Sequence, residues 1–172
     1  MGIENALVDG KKIFISNHQG VFDIPILIAT LPMPFRFIVK MELFKVPLLG
    51  WYMSRRGDIA IDRAKGRKAL ETLHEVAGYI EKEEPILIFP EGTRSKDGQV
   101  AEFKRGSLVL ATRTNAKIIP IAISGSIDIQ KKKSKFINPA RVKVVIGEPI
   151  HAGKNDDILV EIRAKIISLM NK

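Results

Sequence analysis

The sequence predicts an α/β fold, on three observations. Short β-branched runs alternate with helical patterns along all 172 residues. Several of these runs are apolar throughout, as strands covered on both faces are. Hydrophobic residues make up 45% of the chain and charged residues 27%, the balance of a chain that buries a full core. The strands are read at Lys12 to Ser16, Phe35 to Val39, Ile59 to Ile61, Ile86 to Phe89, Ile118 to Ile123 and Val142 to Ile146. Ala64 to Glu84 reads as a helix: Leu70, Leu73, Val76, Ala77 and Ile80 recur at helical spacing, and Pro85 stops it. Phe103 to Arg113 reads as a shorter helix. Ile158, Ile162, Ile166 and Leu169 mark an amphipathic helix near the C-terminus. No repeat, low-complexity tract or long linker divides the chain, so residues 1–172 read as a single domain. Nothing in the pattern orders the strands.

The charge balance narrows the partners. Lysine and arginine number 28 against 19 aspartates and glutamates, a formal charge of +9. Such a surface attracts anions: nucleic acid, anionic lipid, or phosphorylated and acidic substrates. The chain has no cysteine, which excludes disulfides, thiolate metal sites and a thiol nucleophile. The longest apolar stretch, Ile24 to Leu31, falls short of the ~20 residues of a membrane-spanning helix and contains Pro25. Met1-Gly2-Ile3-Glu4-Asn5-Ala6 matches neither a signal peptide nor a myristoylation site, so membrane contact is expected to be peripheral. The basic run Lys131-Lys132-Lys133-Ser134-Lys135 reads either as solvated loop or as a patch for lipid head groups or nucleic acid.

His18 and Asp23, just beyond the apolar run Ile13-Phe14-Ile15, are the first candidates for chemistry. An imidazole can take a proton from a hydroxyl, and a carboxylate can hold its other nitrogen and stabilise the cation that forms. Residues five apart on a helix are about 140° out of phase. The two side chains therefore meet only if His18 stays in the loop and Asp23 enters the first helical turn. Gly20 permits the tight turn, an acid is favoured at a helix N-terminus, and Pro25 is tolerated there. The alternative is a loop histidine beside a capping aspartate.

The second segment, Phe89-Pro90-Glu91-Gly92-Thr93-Arg94-Ser95, follows a buried-type strand. Gly92 allows close backbone approach and Arg94 offers a planar fork matched to phosphate, so it reads as an oxyanion pocket or as a turn with a surface salt bridge. It lacks the lysine and spacing of a nucleotide P-loop. The third, Gly57 to Arg63, closes on Asp62 and Arg63, which could also merely cap the next helix. The fourth, Ile118 to Ile123, is an apolar strand carrying Pro120 and reads as core or pocket wall. His74 lies in a helix and His151 in a loop, and both rank as structural. The three histidines do not have metal-ligand spacing.

Together these four segments resemble the blocks of the glycerolipid acyltransferases, most closely those acting on 1-acylglycerol-3-phosphate. Asn17-His18 followed by Asp23, Gly57 to Arg63 ending in Asp-Arg, Phe89 to Ser95, and the strand Ile118 to Ile123 match in order and spacing. Gly2-Ile3-Glu4-Asn5, Lys40-Met41-Glu42-Leu43 and Phe103-Lys104-Arg105-Gly106 add smaller matches. The resemblance implies a single α/β domain with a mostly apolar mixed β-sheet flanked by helices. It implies transfer of a fatty acyl group from a thioester, acyl-CoA or acyl-carrier protein, to the free hydroxyl of a lysophospholipid, giving phosphatidic acid. His18 would be the base and Asp23 its orienting partner. Arg94, Thr93 and Gly92 would hold the acceptor phosphate, Lys40 and Arg63 would assist, and Glu91 would position the acceptor or brace the loop. No protein nucleophile, metal or cofactor is implied, and an anionic membrane surface is the expected partner.

Two departures accompany the match. Ala60 stands where the family has a larger apolar residue, which predicts a roomier pocket. Only 17 residues precede His18, so the domain is read as lacking most of the family's N-terminal membrane-anchoring segment. The same residues admit another acceptor, such as glycerol-3-phosphate, another lysophospholipid or a lyso-amino-acid lipid, or a noncatalytic anionic-lipid-binding module. Nucleic acid is disfavoured, since no such motif occurs and aromatic residues are only 6% of the chain.

Overall fold

The computed structural model describes residues 1–62, 66–107, 109–130, 136–151 and 158–172. Arg63 and the basic run 131–135 lie outside the described residues. Seven strands form one sheet: β1 (Lys12–Ser16), β2 (Arg36–Lys40), β3 (Ile59–Ile61), β4 (Ile86–Ile88), β5 (Lys117–Ser124), β6 (Lys143–Ile146) and β7 (Ile150–His151). The order is β3-β2-β4-β1-β5-β6, with β7 also on β5. The first five strands run parallel, whereas β6 and β7 pair antiparallel with β5. The sheet is therefore mixed, as expected.

The helices are α1 (Asp23–Thr30), α2 (Leu49–Arg56), α3 (Gly66–Glu81), α4 (Val109–Thr114), α5 (Ser126–Ile129) and α6 (Ile158–Met170). Alternate strand residues enter two separate cores. Ile13 and Ile15 of β1 join Val76 and Ile80 of α3, Leu110 of α4 and Ile162 and Ile166 of α6 on one face. Phe14 joins Leu27 of α1, Met53 of α2, Phe37, Leu87 and Ile121 on the other. Burial on both faces is why these strands read as unbroken apolar runs.

The structure departs from the sequence pattern in several places. The strand read at Phe35 to Val39 begins and ends one residue later, because Arg36 N–H already donates to Pro85 O. The helix read at Ala64 to Glu84 ends at Glu81, where Glu83 takes φ 61° and turns the chain toward β4. Phe103 to Arg113 is not one helix but a 3-10 turn at Arg105–Ser107 and then α4. His151 is paired with Lys117 in β7 rather than looped. The apolar pattern of the sequence does not mark helix α2.

Candidate active site

The topology places the candidate residues. From β1 the chain crosses through α1 to β2 on one face, and from β4 it crosses through α4 to β5 on the other. Adjacent strands whose continuations part in this way open a crevice at their C-terminal ends. The loops carrying His18 and Arg94 flank that crevice.

Asn17 secures the exit from β1. Its amide donates to Ile123 O and its carbonyl accepts from Ile123 N–H, each at 2.8 Å. The backbone can thus leave the sheet at His18 without unpairing β5. His18 N–H then donates to Glu91 Oε1 at 2.8 Å, and Ser95 N–H donates to His18 O at 2.7 Å. Glu91 Oε2 accepts from Ala101 N–H at 3.1 Å. Glu91 is buried, and burial pushes its carboxyl above the ordinary value of 4.5 against the pull of these two backbone donors.

Asp23 opens α1 and is fully buried. Its Oδ2 accepts from His18 Nδ1 at 2.7 Å, Gln19 N–H at 2.7 Å and Gly20 N–H at 2.9 Å. Its Oδ1 accepts from the Ser126 hydroxyl of α5. An acceptor-only carboxylate suits this set of donors, which assigns the imidazole proton to Nδ1 and leaves the Nε2 lone pair free. Phe89 stacks on the imidazole, with ring centroids 4.1 Å apart and planes 17° from parallel. The ring is thus held on its edge by Asp23 and on its face by Phe89, with 16% of the side chain still exposed.

His18 opens into a cleft of about 250 Å³ that it lines together with Ile24, Lys40, Leu43, Thr93 and Arg94. Gly92, at φ 72°, makes the turn after β4 that sends Thr93 and Arg94 to this cleft. Lys40, the last residue of β2, and Arg94 have no ion-pair or hydrogen-bond partner among the described residues. A second cavity of about 260 Å³ shares Ile38, Phe89 and Gly92 with the cleft and is otherwise walled mainly by Ile61, Leu73, Ile88 and Leu110. Ile61, not Ala60, faces it, because neighbouring strand residues point to opposite faces.

The structure therefore brings His18, Lys40, Gly92, Thr93 and Arg94 to one cleft, with Asp23 behind His18. Glu91 does not line it: both its oxygens are turned inward to backbone donors. His74 meets Arg113, with Nη2 3.2 Å from its Nδ1, away from the cleft. Among the described residues no group of three or more His, Cys, Asp or Glu side chains could hold a metal ion. Sequence reasoning missed Ser126. Its only local signal is a hydroxyl following the Ser124-Gly125 turn.

An imidazole backed by a buried carboxylate thus shares an α/β crevice with two cations that have no partner among the described residues. The acyltransferase family model matches residues 1–124, and the chain belongs to that family. A chloroplastic 1-acyl-sn-glycerol-3-phosphate acyltransferase of Arabidopsis thaliana is 36% identical over 172 residues, covering 99% of this chain and 48% of the relative. A 1-acyl-sn-glycerol-3-phosphate acyltransferase of Helicobacter pylori is 34% identical over 140 residues, covering 81% of this chain and 59% of the relative. The crystal structure of the 1-acyl-sn-glycerophosphate acyltransferase PlsC from Thermotoga maritima matches with a TM-score of 0.87 and 28% identity, covering 99% of this chain and 69% of that one. The chain spans about half the length of the first curated relatives it matches. Among the described residues no helix is long and apolar enough to cross a membrane.

Proposed function

We propose that this chain transfers a fatty acyl group from an acyl thioester to the free hydroxyl of 1-acylglycerol-3-phosphate at an anionic membrane surface, giving phosphatidic acid. One observation carries the reading: an imidazole whose Nδ1 is tied to a buried carboxylate shares a cleft with two cations that have no partner among the described residues. Arg94, Lys40 and Thr93 bind the acceptor phosphate, and the adjoining apolar cavity takes an acyl chain. His18 Nε2 accepts the hydroxyl proton as the oxygen attacks the thioester carbonyl carbon. The tetrahedral adduct collapses with loss of the C–S bond, and the imidazolium returns its proton to the leaving thiolate. Asp23 stabilises the imidazolium between these steps. Neither Ser16 nor Ser95 sits in a nucleophile-elbow pattern, so both reactants are held together and the hydroxyl attacks directly, the rate gain coming from proximity and the base.

The test is product formation from a labelled acyl thioester and lysophosphatidic acid in micelles, with His18→Ala as control. Phosphatidic acid from the wild type and its loss in the variant are expected. Equal rates from the two proteins would remove His18 from the reaction.

A further inference from the structure

The segment joining β2 to β3 differs from the remaining surface. Met41, Val46, Leu48, Leu49, Trp51 and Tyr52 are all exposed large apolar side chains, with Leu48 82% and Trp51 65% exposed. Local packing puts them outside. A Cβ on Gly50 would lie 2.0 Å from Phe44 O, so α2 is pressed onto the preceding turn with Gly50 and Met53 inward. Leu48, Trp51, Tyr52 and Arg55 then share the outward face at helical spacing.

Backbone strain points the same way. Leu49 N–H donates to Pro47 O at 2.7 Å, closing a γ-turn in which Leu48 has φ 62° and ψ −50°. This positive-φ form is the rare and strained one, and glycine would adopt it freely. A leucine held there, almost wholly in solvent, gains little from packing within the chain to offset the strain.

The charges identify the occupant. Lys40, Lys45 and Arg55 belong to the same segment, the Arg55 guanidinium lies 5.7 Å from the centre of the Trp51 ring, and Glu42 is the only carboxylate from 40 to 56. Tryptophan and leucine beside lysine and arginine form the signature of an element that lies in the lipid interface. A second copy would instead meet like charge. The segment also supplies Lys40 and Leu43 to the His18 cleft. We infer that Leu48, Trp51 and their neighbours dock the protein on an anionic bilayer with the His18 cleft beside the lipid surface. This deepens the acyltransferase reading and rests on it for the choice of lipid as partner.

Trp51 is the only tryptophan in the chain, so its emission reports on this surface directly. The probe is vesicles of phosphatidylcholine with and without phosphatidylglycerol. Anionic vesicles are expected to shift the emission to shorter wavelength, and lipids brominated on the acyl chain to quench it. Leu48→Gly keeps the turn and relieves its strain while removing the anchor. Its partitioning should fall roughly tenfold with circular dichroism unchanged. The variant should match the wild type on a monomeric short-chain acceptor and lag on one presented in vesicles. Sedimentation with vesicles while Trp51 stays unshifted and unquenched would overturn the inference, as would a lipid-free shift that grows with protein concentration. If Trp51 inserts but neither acceptor yields product, the acyltransferase reading fails and the docking surface stands.

Discussion

The two carboxylates that touch His18 and the two cations that share its cleft are handled in opposite ways. Asp23 and Glu91 are buried, and every oxygen of theirs accepts a hydrogen bond from within the chain. Lys40 and Arg94 face the cleft with no partner among the described residues. A buried carboxylate is costly unless donors surround it, so the chain completes that half of the site during folding. A guanidinium or ammonium in an open cleft remains hydrated and can wait for an external anion. The carboxylates therefore preorganise the imidazole, and the cations are left open to an external anion.

The largest effect that would sharpen this contrast is at His18. His18→Ala should lower kcat by roughly 10²–10⁴-fold with the fold intact, the usual contribution of a positioned base. Arg94→Ala should lower kcat/KM for a phosphorylated acceptor by roughly 10- to 100-fold, since hydrogen bonds to charged groups contribute about 1.5–3 kcal/mol. An uncharged monoacylglycerol should be little affected. If both acceptors suffer alike, Arg94 supports the loop rather than the phosphate.

Glu91→Gln breaks the other half. An amide cannot accept from both the His18 and Ala101 N–H groups, so stability should fall by about 1–3 kcal/mol in urea titrations. The pH dependence has a definite sign. Burial raises the carboxyl of Glu91 above 4.5, so the folded state binds its proton more tightly than the unfolded state does. Its contribution to stability therefore declines as pH rises from about 4.5 to the folded value and is level above it. That decline should be absent from Glu91→Gln. The smallest effect on activity is expected from Ser126→Ala, a modest fall in kcat because Asp23 Oδ2 keeps its three donors, with about 1–3 kcal/mol of stability lost as Oδ1 loses the Ser126 hydroxyl. A loss as large as that of His18→Ala would mean that Ser126 holds the imidazole geometry by itself.

Much of the fold was legible. β1 and β3 lie where they were read, because a β-branched apolar run states its own conformation and its burial. The C-terminal helix followed from spacing alone. α2 escaped because it is only eight residues long, with a glycine at its second residue, and its position depends on Gly50 meeting Phe44. The reading of Phe103 to Arg113 as one helix failed at a 3-10 turn containing Gly106, a residue that weakens a helix interior. In the site, the pairing of His18 with Asp23 could be argued from five-residue spacing and one glycine. The inward turn of Glu91 could not, because a carboxylate beside glycine, threonine and arginine looks like a ligand group until its burial is known.

The alternation of elements, the anion-seeking charge, the absence of thiol chemistry and the proximity of an imidazole to a carboxylate are all local properties, set by residues a few positions apart. Pairing across the sheet is not local. The order β3-β2-β4-β1-β5-β6 brings residues 18, 40 and 94 to one crevice, lets a serine 103 positions away complete the shell of Asp23, and leaves the β2–β3 connection bare beside it. These outcomes depend on which strands become neighbours and which faces are covered, so only the folded chain could decide them.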